Sequence, residues 1–505
     1  MLKQDICYSP FLSDNKSLSV GLNPLGIRTA SEQLFTTLLP GLNVVTLRIR
    51  YYSFYCWLMR CFYADRTEAS RSDFQRHIRM SELLMALIHA QSNNSGGVPG
   101  ITRANEIIWK GDFLINFNKD AMPEGKPTGG YWKGSYGAFG TYYVASLEEM
   151  GIIRPLADNP SLYNVTPESD DYIAGEVLAK AFAETVGSQM ENLFQQCARL
   201  GIVTREQLAA MEPYFQSHNM PNNHERELLL QMLLQADRPS TLEDRFFRKD
   251  TLRLLLNYLL EEEPTFTELD FARYVYKKYS NQEDQSMAAA GWYAYYLNDS
   301  RQFEALNIFD VVLQRLQISK KPGQWENIDD FTSQLASEVC DALGTVGKTM
   351  KQMMDNWASV KNPEDPMAHA FYVIIDDYRR NPNYQECKAL IKAHFRNVSN
   401  DALDAFDNME QTLDDSVHQF IKRYLTENII YNHYSESMRK YSQNGIPTQK
   451  LTIENGYVRG LTRYGSSHSS PRIGTLKYYA TDLGLIENDR VTSMGVELLK
   501  RLQND

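Results

Sequence analysis

The chain has 505 residues, 43% of them apolar and 23% charged, a balance that excludes a disordered or fibrous protein. It carries 63 Asp and Glu against 52 Lys and Arg, and the net charge of -11 argues against a protein that coats nucleic acid or an anionic membrane over its whole surface. A local basic patch stays open.

The opening segment, MLKQDICYSPFLSD, has no basic run followed by an apolar core, and apolar runs such as Leu83 to Ile88 are too short to span a bilayer. Cys7, Cys56, Cys61, Cys197, Cys340 and Cys387 show no CxxC spacing, so neither a zinc ribbon nor a disulfide framework is expected. These features predict a cytoplasmic protein with no membrane partner.

Thr29 opens a predicted helix that stops at Pro40-Gly41, because proline cannot continue the ladder and glycine releases the chain. An aromatic helix is expected from Val44 to Tyr63 and another from Ser72 to Ala90, where Leu83, Leu84, Leu87 and Ile88 recur at helical spacing. Arg48, Arg50 and Arg60 stand among Tyr51, Tyr52, Phe54, Tyr55 and Trp57. Exposed, these would stack bases, but their helical spacing favours a core, with Arg48 or Arg50 bridging neighbouring helices. The glycine-rich stretches NNSGGVPG (93–100) and MPEGKPTGG (122–130) read as loops or a domain edge.

Amphipathic helices dominate from Glu184 to Ser442, among them Leu252 to Leu260, Phe271 to Tyr279, Ala288 to Tyr296, Phe303 to Leu316 and Val417 to Ser435. One start is well specified: Thr267 caps, Asp270 reaches back, and Phe266 and Phe271 occupy the staple positions. No repeat runs through this region at solenoid period.

A weaker duplication links residues 136–185 and 470–502. Each has a helix, a glycine stop (Gly151, Gly484), an apolar pair, a polar turn (Asn159-Pro160, Asn488-Asp489), a short strand and a capped helix. Thr166-Pro167 and Ser470-Pro471 read as helix starts, proline behind a capping residue. This order is that of a winged-helix module, the glycine permitting the left-handed exit before two strands pair around a wing. An ordinary helix and hairpin in a larger core is the alternative. The expected fold is mainly α, a multi-helix body with one or two winged-helix-like modules. Its expected division is 1–130 (helical), 131–187 (winged-helix-like), 188–437 (helical middle) and 438–505 (winged-helix-like).

Between Met438 and Ala480 stand Arg439, Lys440, Lys450, Arg459, Arg463, Arg472 and Lys477 against a single acid, Glu454. An isolated basic face beside a reading helix is where a phosphate backbone would be held, so Arg459, Arg463, Arg472 and Lys477 are the candidate DNA contacts. The loop GLTRYGSSHSSPR adds amides and hydroxyls able to approach phosphates. Many winged helices mediate only protein contacts, and the first copy, with Glu148 and Glu149 on its helix, reads as a packing or partner surface.

A second chemistry is a metal-dependent nuclease, since FYVIIDD followed by QECK places Asp376 or Asp377 ahead of Glu386 and Lys388. Such nucleases carry these residues on adjacent strands, whereas PMAHAFYVIIDDYRR and YQECKALIKAHF read as two helices with charges facing water. The closest histidines, His218 and His224, miss zinc-enzyme spacing, and no GxxxxGK[ST], GxGxxG or GxSxG occurs. No cofactor or metal is expected.

Pro40, Gly41, Thr46, Arg48, Arg50, Tyr51, Phe54 and Trp57 form a PG…TxRxRYxxFxxW pattern that resembles the start of a group of bacterial proteins with no assigned reaction. Genes of that group tend to sit beside helicases and nucleases in defence loci. The resemblance covers about the first tenth of the chain and implies a setting, anti-phage defence, with such an enzyme as partner. The expected function is a non-enzymatic DNA-associated component, with a purely structural adaptor as a further alternative.

Overall fold

A computed structural model describes residues 23–64, 69–92, 96–122, 130–218, 220, 222–236, 245–262, 266–318, 324–395, 398, 401–445 and 447–504. The readings of the opening segment and of most of MPEGKPTGG lie outside these residues, as do 93–95 of NNSGGVPG. The chain is mainly helical with a few short strands, as expected. Among the described residues no helix is long and apolar enough to cross a membrane. Two compact units form, one from residues 1–35 and 275–469, the other from 36–274 and 470–505. The expected helical middle is therefore divided at Tyr274/Val275, and the expected C-terminal module at Ser469/Ser470.

In the unit of 36–274 and 470–505, the aromatic helix is Arg50–Ala64, six residues later than its predicted start. Asn43 holds the preceding turn: its carbonyl accepts from Thr46 N and Oγ1, and its side chain accepts from Val45 N, satisfying groups a helix would need. Tyr51, Tyr52, Phe54, Tyr55 and Trp57 are all buried, so this segment is core. The helix packs on Gly175–Leu200, with Phe54 and Trp57 against Phe182 and Phe194. Both arginines bridge: Arg50 to Glu225, and Arg48 to Asp482 at 2.7 Å. Helix Arg71–Gln91, capped by Ser70, carries the fully buried Glu82. Its carboxylate accepts from Tyr55 and Tyr131 hydroxyls and from the amides of Ala138 and Phe139, and burial raises its pKa.

The duplication is present here as two helix, hairpin, helix modules sharing one hydrogen-bond plan. The first runs Val144–Glu149, Ile153–Pro155 paired with Tyr163–Val165, then Gly175–Leu200; the second runs Ile473–Asp482, Ile486–Glu487 paired with Arg490–Val491, then Ser493–Asn504. Gly151 (φ 75°) and Gly484 (φ 77°) make the left-handed exits. The next amide reaches back five residues in each, Ile152 to Leu147 and Leu485 to Ala480. Thr166 and Thr492 then play identical parts. Their amides donate to Ile152 and Leu485 carbonyls at 3.0 Å, and their hydroxyls donate to Gly151 and Gly484 carbonyls and accept from Gly175 and Gly495 amides.

This plan explains a departure from expectation. Thr166 does not cap a helix at Pro167, because its hydroxyl is held by Gly151 and Gly175, and the helix starts only at Gly175. In the second copy only Ser493 and Met494 separate the equivalent Thr492 and Gly495. Ser470 does not cap the other start either. Its hydroxyl donates to Glu268, whose second oxygen accepts from Gly474 N and so caps helix Ile473–Asp482 from outside.

In the unit of 1–35 and 275–469, the two helices expected at 288–296 and 303–316 are one, Met287–Ile318, since no Gly or Pro breaks the intervening LNDSRQ. Helices Pro366–Arg380, Tyr384–His394 and Ala402–Glu410 pack along it. Helix Val417–Arg423 continues through a π-helical stretch, Tyr424–Tyr431, into Asn432–Asn444. A three-stranded sheet orders Glu326–Asn327, Tyr457–Gly460 and Leu451–Glu454.

Candidate functional site

The candidate DNA contacts divide between the units, Arg459 and Arg463 in one and Arg472 and Lys477 in the other. Arg459 lies in strand Tyr457–Gly460, opposite Thr452. Arg463 grips Asp310 through two parallel bonds of 2.8 and 2.7 Å. That pair raises the pKa of Arg463, the bond to Asp310 being the main cause. Arg472, at a left-handed φ of 65°, stands at the start of helix Ile473–Asp482 and donates to the Leu42 carbonyl at 2.8 Å. Lys477 pairs with Asp489 of the hairpin turn and lies over the Phe266 ring. Arg463, Arg472 and Lys477 therefore already meet protein acceptors.

The serine-rich loop is engaged in the same way. Asp299 accepts from the Ser469 amide and hydroxyl and from His468 Nδ1 at 2.6–2.8 Å. His468 also stacks on Phe303 at 4.0 Å between ring centroids. The donors that resembled a phosphate cradle thus hold carboxylates of the protein itself, Asp299 for His468 and Ser469, Glu268 for Ser470 and Gly474. Sequence spacing gave no sign of either acid: 169 residues separate Asp299 from His468.

The nuclease candidates lie on helices, not strands. Asp376, on Pro366–Arg380, has one oxygen on Arg379 at 2.7 Å and the other on Arg380 at 2.6 Å. Lys388, on Tyr384–His394, is buried against Asp404 at 2.7 Å and Asp407. Glu386 is exposed on the same helix. Each charge thus has its own surroundings, and among the described residues no three His, Cys, Asp or Glu converge as metal ligands.

What the C-terminal module presents outward is mixed: Tyr478 and Thr481 on its first helix, Glu487, Asn488 and Arg490 on the hairpin, and Ser493, Met494, Glu497, Lys500, Arg501 and Gln503 on its last helix. Asp482, on the inner face of that helix, is pushed up to about 7 by burial, against the opposing pull of Arg48. Comparison of the chain with protein-family models, curated proteins and solved structures finds no match.

Proposed function

We propose that this protein works by binding, as a non-enzymatic component of a DNA-directed bacterial system, and that its two duplicated modules are of the winged-helix type. The C-terminal module meets a partner protein in this reading. The observation that carries it is charge compensation: Lys477 sits on Asp489, Arg472 is directed to a backbone carbonyl, and the exposed Arg490, Lys500 and Arg501 are interspersed with Glu487 and Glu497. A duplex needs several cations free to replace its counterions. A partner protein needs only a matched surface with an aromatic anchor such as the half-exposed Tyr478. Anti-phage defence, with a helicase or nuclease encoded nearby as partner, is the setting that the PG…TxRxRYxxFxxW pattern implies.

DNA held by Arg459, Arg463, Arg472 and Lys477 is the second reading. The Arg463 and Asp310 pair is partly exposed, and surface pairs contribute only about 0–1 kcal/mol, so a phosphate would compete for the guanidinium at small cost. One experiment separates the two. The chain is co-expressed with the product of each adjacent gene, and duplex affinity is measured at low and rising salt. We expect a neighbour to co-purify and to be lost with Tyr478→Asp, while Arg463→Glu with Lys477→Glu leaves duplex binding unchanged. Weaker duplex binding with a flatter salt dependence in that double variant would overturn the protein-partner reading in favour of DNA.

A further inference from the structure

The unit of 1–35 and 275–469 holds a cavity of about 580 Å³, within the range of roughly 300–1,000 Å³ typical of small-molecule sites. Met287–Ile318 contributes Leu297 and Arg301 to its wall, Pro366–Arg380 contributes Asp377, Ala402–Glu410 contributes Phe406, and the π-helical stretch contributes Tyr424 and Glu427. π-Helical turns recur at functional sites, because the extra residue per turn re-aims side chains.

The charges in and around this cavity are unequally matched. Asp415 takes Arg423 at 2.8 Å, and Arg301 bonds Tyr424. Asp376, next to the cavity residue Asp377, takes both Arg379 and Arg380. Asp377 receives one side-chain hydrogen bond among the described residues, from Ser300 Oγ to Oδ2 at 2.7 Å, which leaves Oδ1 without a protein donor. Glu427 has no ion-pair partner among the described residues. Behind Asp377, Glu304 accepts from Asn307 and adds negative potential, as does Asp376, while Arg380 opposes both. Burial is the main cause that lifts the Asp377 carboxyl to about 6. An under-paired carboxylate in a cleft is a site whose charge a ligand can complete.

We propose that this cavity binds a small organic cation, a primary amine or guanidinium on an apolar or aromatic body, with its charged head on Asp377 and its body along the Phe406 and Tyr424 side. An anionic ligand would meet Asp377, Asp415 and Glu427 in the same wall, three carboxylates against the two guanidinia of Arg301 and Arg423. A cation completes Asp377 and gains the aromatic faces besides. The proposal concerns a different unit from the partner-binding module and stands or falls apart from it.

Titration calorimetry of the full chain tests it with tyramine and agmatine as probes, beside tyrosol and phloretate, the uncharged and anionic counterparts of tyramine. At neutral pH at least one amine should bind, and tyrosol and phloretate about tenfold or more weaker than tyramine where tyramine is the binder. Affinity should fall as pH drops below about 6, where Asp377 takes up a proton. Asp377→Asn should weaken the amine at least about tenfold and remove that pH dependence, while Ser300→Ala should retain binding. Absence of amine binding at millimolar concentration overturns the proposal, as does phloretate binding equal to tyramine or wild-type affinity in Asp377→Asn. The comparison among probes on the wild-type chain needs no variant to fold.

Discussion

Replacing Arg50 by Met should loosen the unit of 36–274 and 470–505 far more than its loss of size suggests. Arg50 and Glu225 are both wholly buried, joined by two bonds of 3.1 Å, and a third guanidinium nitrogen donates to the Gln216 carbonyl at 2.5 Å. The guanidinium also lies 4.9 Å from the Phe182 ring centroid. Met removes all of this and leaves Glu225 with the Ser53 hydroxyl at 2.7 Å as its remaining donor from this helix, an uncompensated charge in a dry interior. Breaking a buried pair from one side costs about 3–5 kcal/mol, and the ring contact adds up to about 1. Replacing both residues by Met should return stability to within about 1 kcal/mol of wild type, because the desolvation of both charges disappears together. A chain of two units need not unfold in one step, so native-state amide exchange along Arg50–Ala64 and Gly175–Leu200 is the suitable readout. Protection there should fall by about three orders of magnitude in Arg50→Met, since each 1.4 kcal/mol is about tenfold. A single variant within about 1 kcal/mol of wild type, or a double variant as unstable as the single, would refute the reasoning.

Two further outcomes follow from local geometry. A Cβ at Gly175 would stand 2.0 Å from the Ile152 carbonyl oxygen, and one at Gly495 would stand 2.4 Å from that of Leu485. Each Gly→Ala change should therefore cost about 1–3 kcal/mol or more by thermal denaturation, whereas Gly465→Ala, with nothing within 4 Å, should stay within about 0.5. His89 and His433 are buried neutral, with pKa lowered to about 4 chiefly by burial. His433 Nε2 accepts from Lys450 N, and His89 Nε2 accepts from Ser217 N, acceptor roles that protonation ends. Below the ordinary value of about 6.5 the unfolded chain binds more protons than the folded one, so stability should fall as pH drops from about 6.5 towards 4. His89→Gln and His433→Gln should each flatten that slope in denaturant titrations across this window.

Helices whose signals are local were legible in the sequence. Ser72 to Ala90 was expected and Arg71–Gln91 is found, since apolar spacing and the Ser70 cap lie within the segment itself. The glycine exits at Gly151 and Gly484 were legible for the same reason. Errors came where a residue's partner is distant in the chain. Thr166 looks like a cap beside Pro167, but its hydroxyl belongs to Gly151 and Gly175. The tail's cations looked free because Asp310 lies 153 residues from Arg463.

The adjacent acids Asp376 and Asp377 show how far such reasoning reaches and what would have extended it. On a helix, consecutive side chains point about 100° apart, so two neighbours cannot share one environment. Residues three and four further on are the ones a helical acid can meet. For Asp376 these are Arg379 and Arg380, and both bind it. For Asp377 they are Arg380 and Asn381; the arginine reaches Asp376 instead, and the asparagine amide donates to the Asp377 backbone carbonyl. Read as a helix, DDYRRN thus gives Arg379 to the first acid and leaves Arg380 within reach of both, and the structure has it on Asp376. The second acid must find its donors elsewhere, and it finds Ser300 and the cavity. The strand reading that a nuclease requires would have put the two acids on opposite faces of a sheet, which conceals this asymmetry.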